Sequence, residues 1–153
     1  MVRPAAVLHG EPAEVLKPSC DVLVPLEIWS YPGSDRVRGD FSLTFRGASA
    51  TVGSWYGLIV TSTGTAVVQH ATISQASTGI TYEAAGTALR VTDSTLQSNT
   101  RGVDATAGAP VFDRVTIASN TSYGFLASGT ATPTVTNALV HSNGNAGLYL
   151  ASG

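Results

Sequence analysis

The sequence predicts an all-β fold, a solenoid of short strands stacked turn upon turn, and three observations carry that reading. Glycines recur at positions 57, 79, 102, 124 and 147, at intervals of 22, 23, 22 and 23 residues, and a large apolar residue follows each one. A fixed period of this length marks a stacked repeat, because one unit cannot bury its own apolar face and needs neighbours. Within each repeat the apolar positions lie two apart, the spacing of strands with one buried face. Threonine and β-branched residues are plentiful there, and no ten-residue stretch shows a 3.6-residue apolar period.

Three short strands per turn of about 22 residues define a right-handed parallel β-helix, its turns about 4.8 Å apart like any paired strands. The expected organisation is an irregular cap with first imperfect rungs over residues 1–40, followed by β-helix repeats over 41–153, about six rungs in all. Pro4, Pro12 and Pro18 mark residues 1–18 as the irregular cap, which covers unpaired strand edges. Val22, Val24, Leu26 and Ile28 alternate, as do Phe41, Leu43 and Phe45, and both stretches read as strands of early rungs. Tyr31 to Asp35 form the turn between them.

From Gly57 onward four apolar columns run through the repeats. The first is Leu58, Ile80, Val103, Phe125 and Leu148; the second is Val60, Tyr82, Ala105, Ala127 and Leu150. The third is Val68, Val91, Phe112 and Val135, and the fourth is Ile73, Leu96, Ile117 and Val140. Polar columns keep the same register. Asn99, Asn120 and Asn143 share a position held by Ala76 in the first repeat, where asparagine tolerates left-handed backbone and its amide bonds along a stack. His70, Asp93, Arg114 and Asn137 mark a tight exposed turn. Thr72, Thr95 and Thr116 form an outward ladder that Leu139 breaks.

The pattern Val-x-(His/Asp/Asn)-x-x-Ile-x-x-Asn followed by Gly-(Ile/Leu/Val) resembles the repeat of the pectin-lyase-like superfamily of right-handed parallel β-helix proteins. Residues 53–58 leading into 68–73 are similar to the first rungs of many bacterial β-helix proteins. The resemblance covers residues 41–153. It implies the fold and leaves function open, since the superfamily holds lyases, hydrolases, isomerases and adhesins. Its enzymes work on polysaccharides in a groove along one sheet, which corresponds here to the strand after each glycine. Outward positions of that sheet would be Ile59, Thr81, Asp104, Leu126 and Tyr149.

Composition narrows the functional classes. The chain has 153 residues, one domain by size, with 12% charged residues and a net charge of −2. No basic stripe is present to bind a phosphate backbone, so nucleic acid is not an expected partner. Cys20 is the single cysteine, which excludes an internal disulfide and a cysteine-based metal cluster. His70 and His141 fall in different columns without acidic partners, so neither a metal nor a cofactor is expected. No run of 18 apolar residues could span a membrane, and residues 1–12 do not read as a signal peptide. The chain ends inside a repeat, which favours a segment of a secreted or cell-surface protein over an intracellular one.

Two candidate sites follow. Glu83, Arg101 and Asp104 are the one charged constellation near the sheet after the glycines, and a carboxylate pair roughly 6–9 Å apart would suit inverting glycoside hydrolysis. Tyr56, Tyr123 and Tyr149, with Trp55, are placed on or beside the same face, where aromatic rings stack on sugars. The expected function is a non-catalytic extracellular or surface module that binds carbohydrate or serves an adhesive or structural role. A polysaccharide lyase or glycoside hydrolase acting on an acidic glycan is the alternative. A third reading is end-to-end self-association, or attachment to a larger β-helix protein, through an end that lacks a cap.

Overall fold

A computed structural model describes residues 20–23, 43–61 and 64–151. Residues 1–19 and 24–42, which include most of the expected cap and early rungs, lie outside the described residues. The strands are β1 (Cys20–Leu23), β2 (Leu43–Gly47), β3 (Leu58–Val60), β4 (Ala66–Gln69), β5 (Ala71–Ser74), β6 (Thr78–Tyr82), β7 (Leu89–Thr92) and β8 (Thr95–Gln97). They continue as β9 (Arg101–Ala105), β10 (Val111–Asp113), β11 (Thr116–Ala118), β12 (Tyr123–Ala127), β13 (Thr134–Thr136), β14 (Leu139–His141) and β15 (Ala146–Leu150). No described residue is helical.

Every third strand joins the same sheet. One sheet has the order β15-β12-β9-β6-β3, the second β13-β10-β7-β4, and the third β1-β2-β5-β8-β11-β14. All neighbours are parallel except β1 and β2, so the chain is an all-β, right-handed parallel β-helix. The described residues make four complete turns, with β2 before them and β15 after them. The six expected rungs therefore resolve into four full turns and two partial ones. Residues 20–23 were expected in an early rung, yet β1 runs antiparallel on β2 and closes that sheet edge instead.

The apolar columns are in register. Leu58, Ile80, Val103, Phe125 and Leu148 pair in succession, as do Val68, Val91, Phe112 and Val135. Phe45 extends the fourth column one turn earlier through its pairing with Ile73. Ile73, Ile80, Val91, Leu96, Val103, Phe112 and Ile117 are sealed from solvent, and Phe112 meets Phe125 edge to face at 5.0 Å. Burying one such side chain contributes about 1.5–3 kcal/mol before entropy.

The periodic glycine has a steric cause. A Cβ on Gly102 would stand 2.4 Å from the Gly124 carbonyl oxygen, and one on Gly124 would stand 2.5 Å from that of Gly147. The next turn's backbone occupies the place of a side chain, so only glycine allows the turns to close up.

Left-handed backbone falls in two columns. His70, Asp93, Arg114 and Asn137 have φ of 49–52°, and Gln75, Ser98, Ser119 and Ser142 have φ of 54–63°. The second column corrects an expectation. The residue preceding each asparagine takes the left-handed conformation, and the asparagine itself turns inward to serve the backbone. Ala76 N–H donates to Asn99 Oδ1 at 2.9 Å, Asn99 N–H to Asn120 Oδ1 at 3.0 Å, and Asn120 N–H to Asn143 Oδ1 at 3.1 Å. Each amide also donates to a carbonyl one turn back: Ile73 from Asn99, Leu96 from Asn120, Ile117 from Asn143. The buried asparagine amides and the backbone groups beside them are thereby satisfied by one another.

Candidate functional site

The outer face of the five-stranded sheet carries the expected column, with Ile59, Thr81, Asp104, Leu126 and Tyr149 paired turn by turn. Arg101 and Tyr123 open their strands three residues before Asp104 and Leu126, and their side-chain contacts with Asp104 and Tyr149 bring them to the same face. Arg101 Nη1 donates to Asp104 Oδ2 at 3.0 Å, with the arginine side chain 43% exposed and the aspartate 16%. On the two following turns Tyr123 and Tyr149 pack together, ring centroids 5.1 Å apart and planes tilted by 35°. Tyr149 remains 45% exposed. Three adjacent turns therefore present an ion pair beside an aromatic pair.

The remaining predicted residues lie elsewhere. Tyr56 is 72% exposed but sits just before β3, three turns from Tyr123, roughly 14 Å at the ordinary strand spacing. Trp55 is not on this face at all. It is buried, bridges to Ala76, and its Nε1–H donates to the Ser74 carbonyl at 2.8 Å. It occupies the inward slot that asparagine fills in later turns, so it plugs the core and offers no ring to a ligand. Neighbouring residues in extended chain face opposite ways, and adjacency to Tyr56 concealed this.

Glu83 follows β6 directly, and its backbone N–H donates to the Val60 carbonyl at 2.9 Å. Tyr82 pairs with Ala105, which sets Glu83 level with Thr106, two residues past Asp104. The Cα atoms of Glu83 and Asp104 are thus roughly 8 Å apart from strand geometry. Asp104 is drawn the other way, toward Arg101. The structure joins two of the three charged residues and leaves Glu83 exposed to one side, without a side-chain hydrogen bond among the described residues.

A second polar constellation went unread in the sequence. At the corner between the second and third sheets Arg114 grips Asp93 with two bonds, Nε to Oδ1 at 2.7 Å and Nη2 to Oδ2 at 2.8 Å. Its Nη1 also reaches Asp113 Oδ2. Asp113 Oδ1 accepts from Thr136 Oγ1 and Asn137 Nδ2, each at 2.8 Å. Arg114's hydrogen bonds hold the Asp93 carboxyl below its ordinary pKa, and those from Asn137 and Thr136 lower Asp113 likewise. Desolvation opposes both shifts, and the Arg114 pKa rises chiefly through its bonds to Asp93. The spacing of His70, Asp93, Arg114 and Asn137 was the available signal, but Asp113 lies one residue off that column. These carboxylates are spent on tying turns together.

The threonine ladder is one turn longer than expected, because Thr44 pairs with Thr72 ahead of Thr95 and Thr116. Among the described residues no group of three or more His, Cys, Asp or Glu is placed to hold a metal ion. No described helix is long and apolar enough to cross a membrane.

Fold and register define a β-solenoid of the right-handed parallel class, and the comparison with known families agrees. Residues 36–153 match the family described as right handed beta helix region, and the chain belongs to that family. No curated protein and no solved structure matches it.

Proposed function

We propose that this β-helix is a non-catalytic recognition module, secreted or displayed on a cell surface, that binds a polysaccharide along the outer face of its five-stranded sheet. The observation that carries the reading is the pair of the half-buried Tyr123 and the exposed Tyr149, one turn from the Arg101–Asp104 pair. Aromatic faces stack on the apolar faces of sugar rings. The guanidinium N–H groups that Arg101 does not spend on Asp104, and the free lone pairs of Asp104, suit ring hydroxyls. Turn spacing of about 4.8 Å sets these groups in a row along the solenoid axis, so a glycan would lie across the strands.

Two features favour binding over catalysis. The Asp104 carboxylate is engaged by Arg101, and Glu83 stands on the opposite side of it. Hydrolysis would need two carboxyl groups facing one bond.

The test is calorimetric titration against a panel of neutral and acidic polysaccharides, with reducing-end and unsaturated-product assays on the same samples. Binding without product is expected. Tyr123→Ala with Tyr149→Ala should weaken it about tenfold or more, since each stacked ring contributes about 0.5–1.5 kcal/mol. Unchanged affinity in that variant would remove the aromatic face from the reading. Product release abolished by Asp104→Asn would make the protein an enzyme.

A further inference from the structure

We infer that Asn143–Gly144 is a self-modification site, where the Gly144 backbone nitrogen attacks the Asn143 side-chain amide and the asparagine ladder gates the reaction. Of the five asparagines in the chain, Asn143 alone precedes a glycine; Thr100, Thr121, Ala138 and Ala146 follow the others. Glycine has no Cβ beside its nitrogen and its backbone turns freely, so that nitrogen reaches the preceding Cγ with the least hindrance. The fold requires glycine at this point. A Cβ on Gly144 would overlap the Thr121 carbonyl oxygen one turn back, although Thr100 and Thr121 hold the equivalent place in the turns before.

The chemistry needs only water. The Gly144 nitrogen bonds to Asn143 Cγ and gives up its proton, and the side-chain nitrogen leaves Cγ with that proton as ammonia. This closes a five-membered succinimide. Water then adds to one of its two carbonyl carbons, and the bond from that carbon to the Gly144 nitrogen breaks. Cleavage at Cγ leaves aspartate, and cleavage at the main-chain carbon leaves isoaspartate. Nothing is oxidised or reduced.

In the folded chain both reacting groups are engaged. Gly144 N–H donates to the Asn120 carbonyl at 2.9 Å. The Asn143 amide is fixed by three bonds: Nδ2 donates to the Ile117 carbonyl at 3.1 Å, and Oδ1 accepts from Asn120 N–H at 3.1 Å and Asn120 Nδ2 at 2.9 Å. All four bonds run back to the preceding turn, so that turn alone supplies the gate. Attack requires the amide to rotate and the nitrogen to come free, which is a local opening of the corner. Either product then harms the ladder. Aspartate has no donor for the Ile117 carbonyl and sets a charge beside it. Isoaspartate adds a carbon to the main chain three residues ahead of β15, which carries Tyr149. The inference does not rest on glycan binding.

Peptide mapping by mass spectrometry on the whole chain, aged at neutral pH, tests this by reading the exchange of amide nitrogen for oxygen at each asparagine. Asn143 should change first, about tenfold or more slowly in the folded chain than in the same chain held in denaturant. Asn120→Ala, which removes the Nδ2 donor to Asn143 Oδ1, should speed the folded-state reaction severalfold, and Arg114→Gln at the exposed corner should not. A measurement on the wild type stands beside the variants: mild denaturant that raises hydrogen exchange at the Gly144 N–H should raise modification by the same factor. Earlier modification of another asparagine overturns the site. Equal rates folded and unfolded, or modification that does not follow Gly144 exchange, overturn the gate.

Discussion

Each turn of the solenoid has two left-handed corners, and they solve one backbone problem with opposite side-chain chemistry. After the third strand, Gln75, Ser98, Ser119 and Ser142 make the turn, and buried asparagines two turns running satisfy the backbone beside it. Between the second and third strands, His70, Asp93, Arg114 and Asn137 make the turn, and solvent-exposed charges bond across it. The difference lies in what water can replace. A hydrogen bond lost at the exposed corner is remade with solvent. At the buried corner Asn99 and Asn120 are sealed at 0% and 1% exposure, and a lost bond strands its partner.

Four predictions press on that contrast, beginning with the largest. Asn120→Ala orphans the Asn99 N–H and the Leu96 carbonyl, each a buried group whose desolvation costs about 1–3 kcal/mol, so chemical denaturation should show a loss of about 3 kcal/mol. A loss below about 1 kcal/mol would mean that water enters the corner and the contrast is false. Trp55→Phe comes next. It removes one hydrogen bond to Ser74 and some packing, so about 1–2 kcal/mol should go, with glycan affinity unchanged because the ring faces the core.

Arg114→Gln is the exposed counterpart and should cost clearly less than Asn120→Ala. Its effect should fade in high salt, where exposed pairs are screened, and the Asn120→Ala loss should persist. The smallest effect is pH dependence. Asp93 and Asp113 have folded pKa values below their unfolded ones, so their stabilisation is complete above the unfolded value near 4. It is lost as pH falls through the lower folded values. Thermal melts should therefore decline below about pH 4 in the wild type, less steeply in Arg114→Gln, and as steeply in Asn120→Ala as in the wild type.

The same contrast explains what the sequence made legible in the candidate site. The column through Asp104, Leu126 and Tyr149 could be read because period-2 alternation on a repeat of known length places every residue of a strand inside or outside. Trp55 and Glu83 lie beside corners, where a left-handed residue or a strand end interrupts the alternation and its phase is lost. The Arg114 network escaped for another reason: apart from the contact between Arg114 and its neighbour Asp113, its bonds join residues 21 to 24 apart, and only one of its two aspartates sits in the column.

By itself the sequence determined the solenoid, its turn length, the apolar columns and the register of the glycines, because these express one local periodicity repeated against itself. Tertiary structure alone decided that β1 closes the first sheet edge and that Trp55 plugs the core. It alone decided that Asp104 pairs with Arg101 and turns from Glu83, and that Arg114 grips Asp93. Each of these depends on which side chains and strands meet in space, as where the Arg114 guanidinium reaches across a turn to Asp93. Period and alternation carry no record of such contacts.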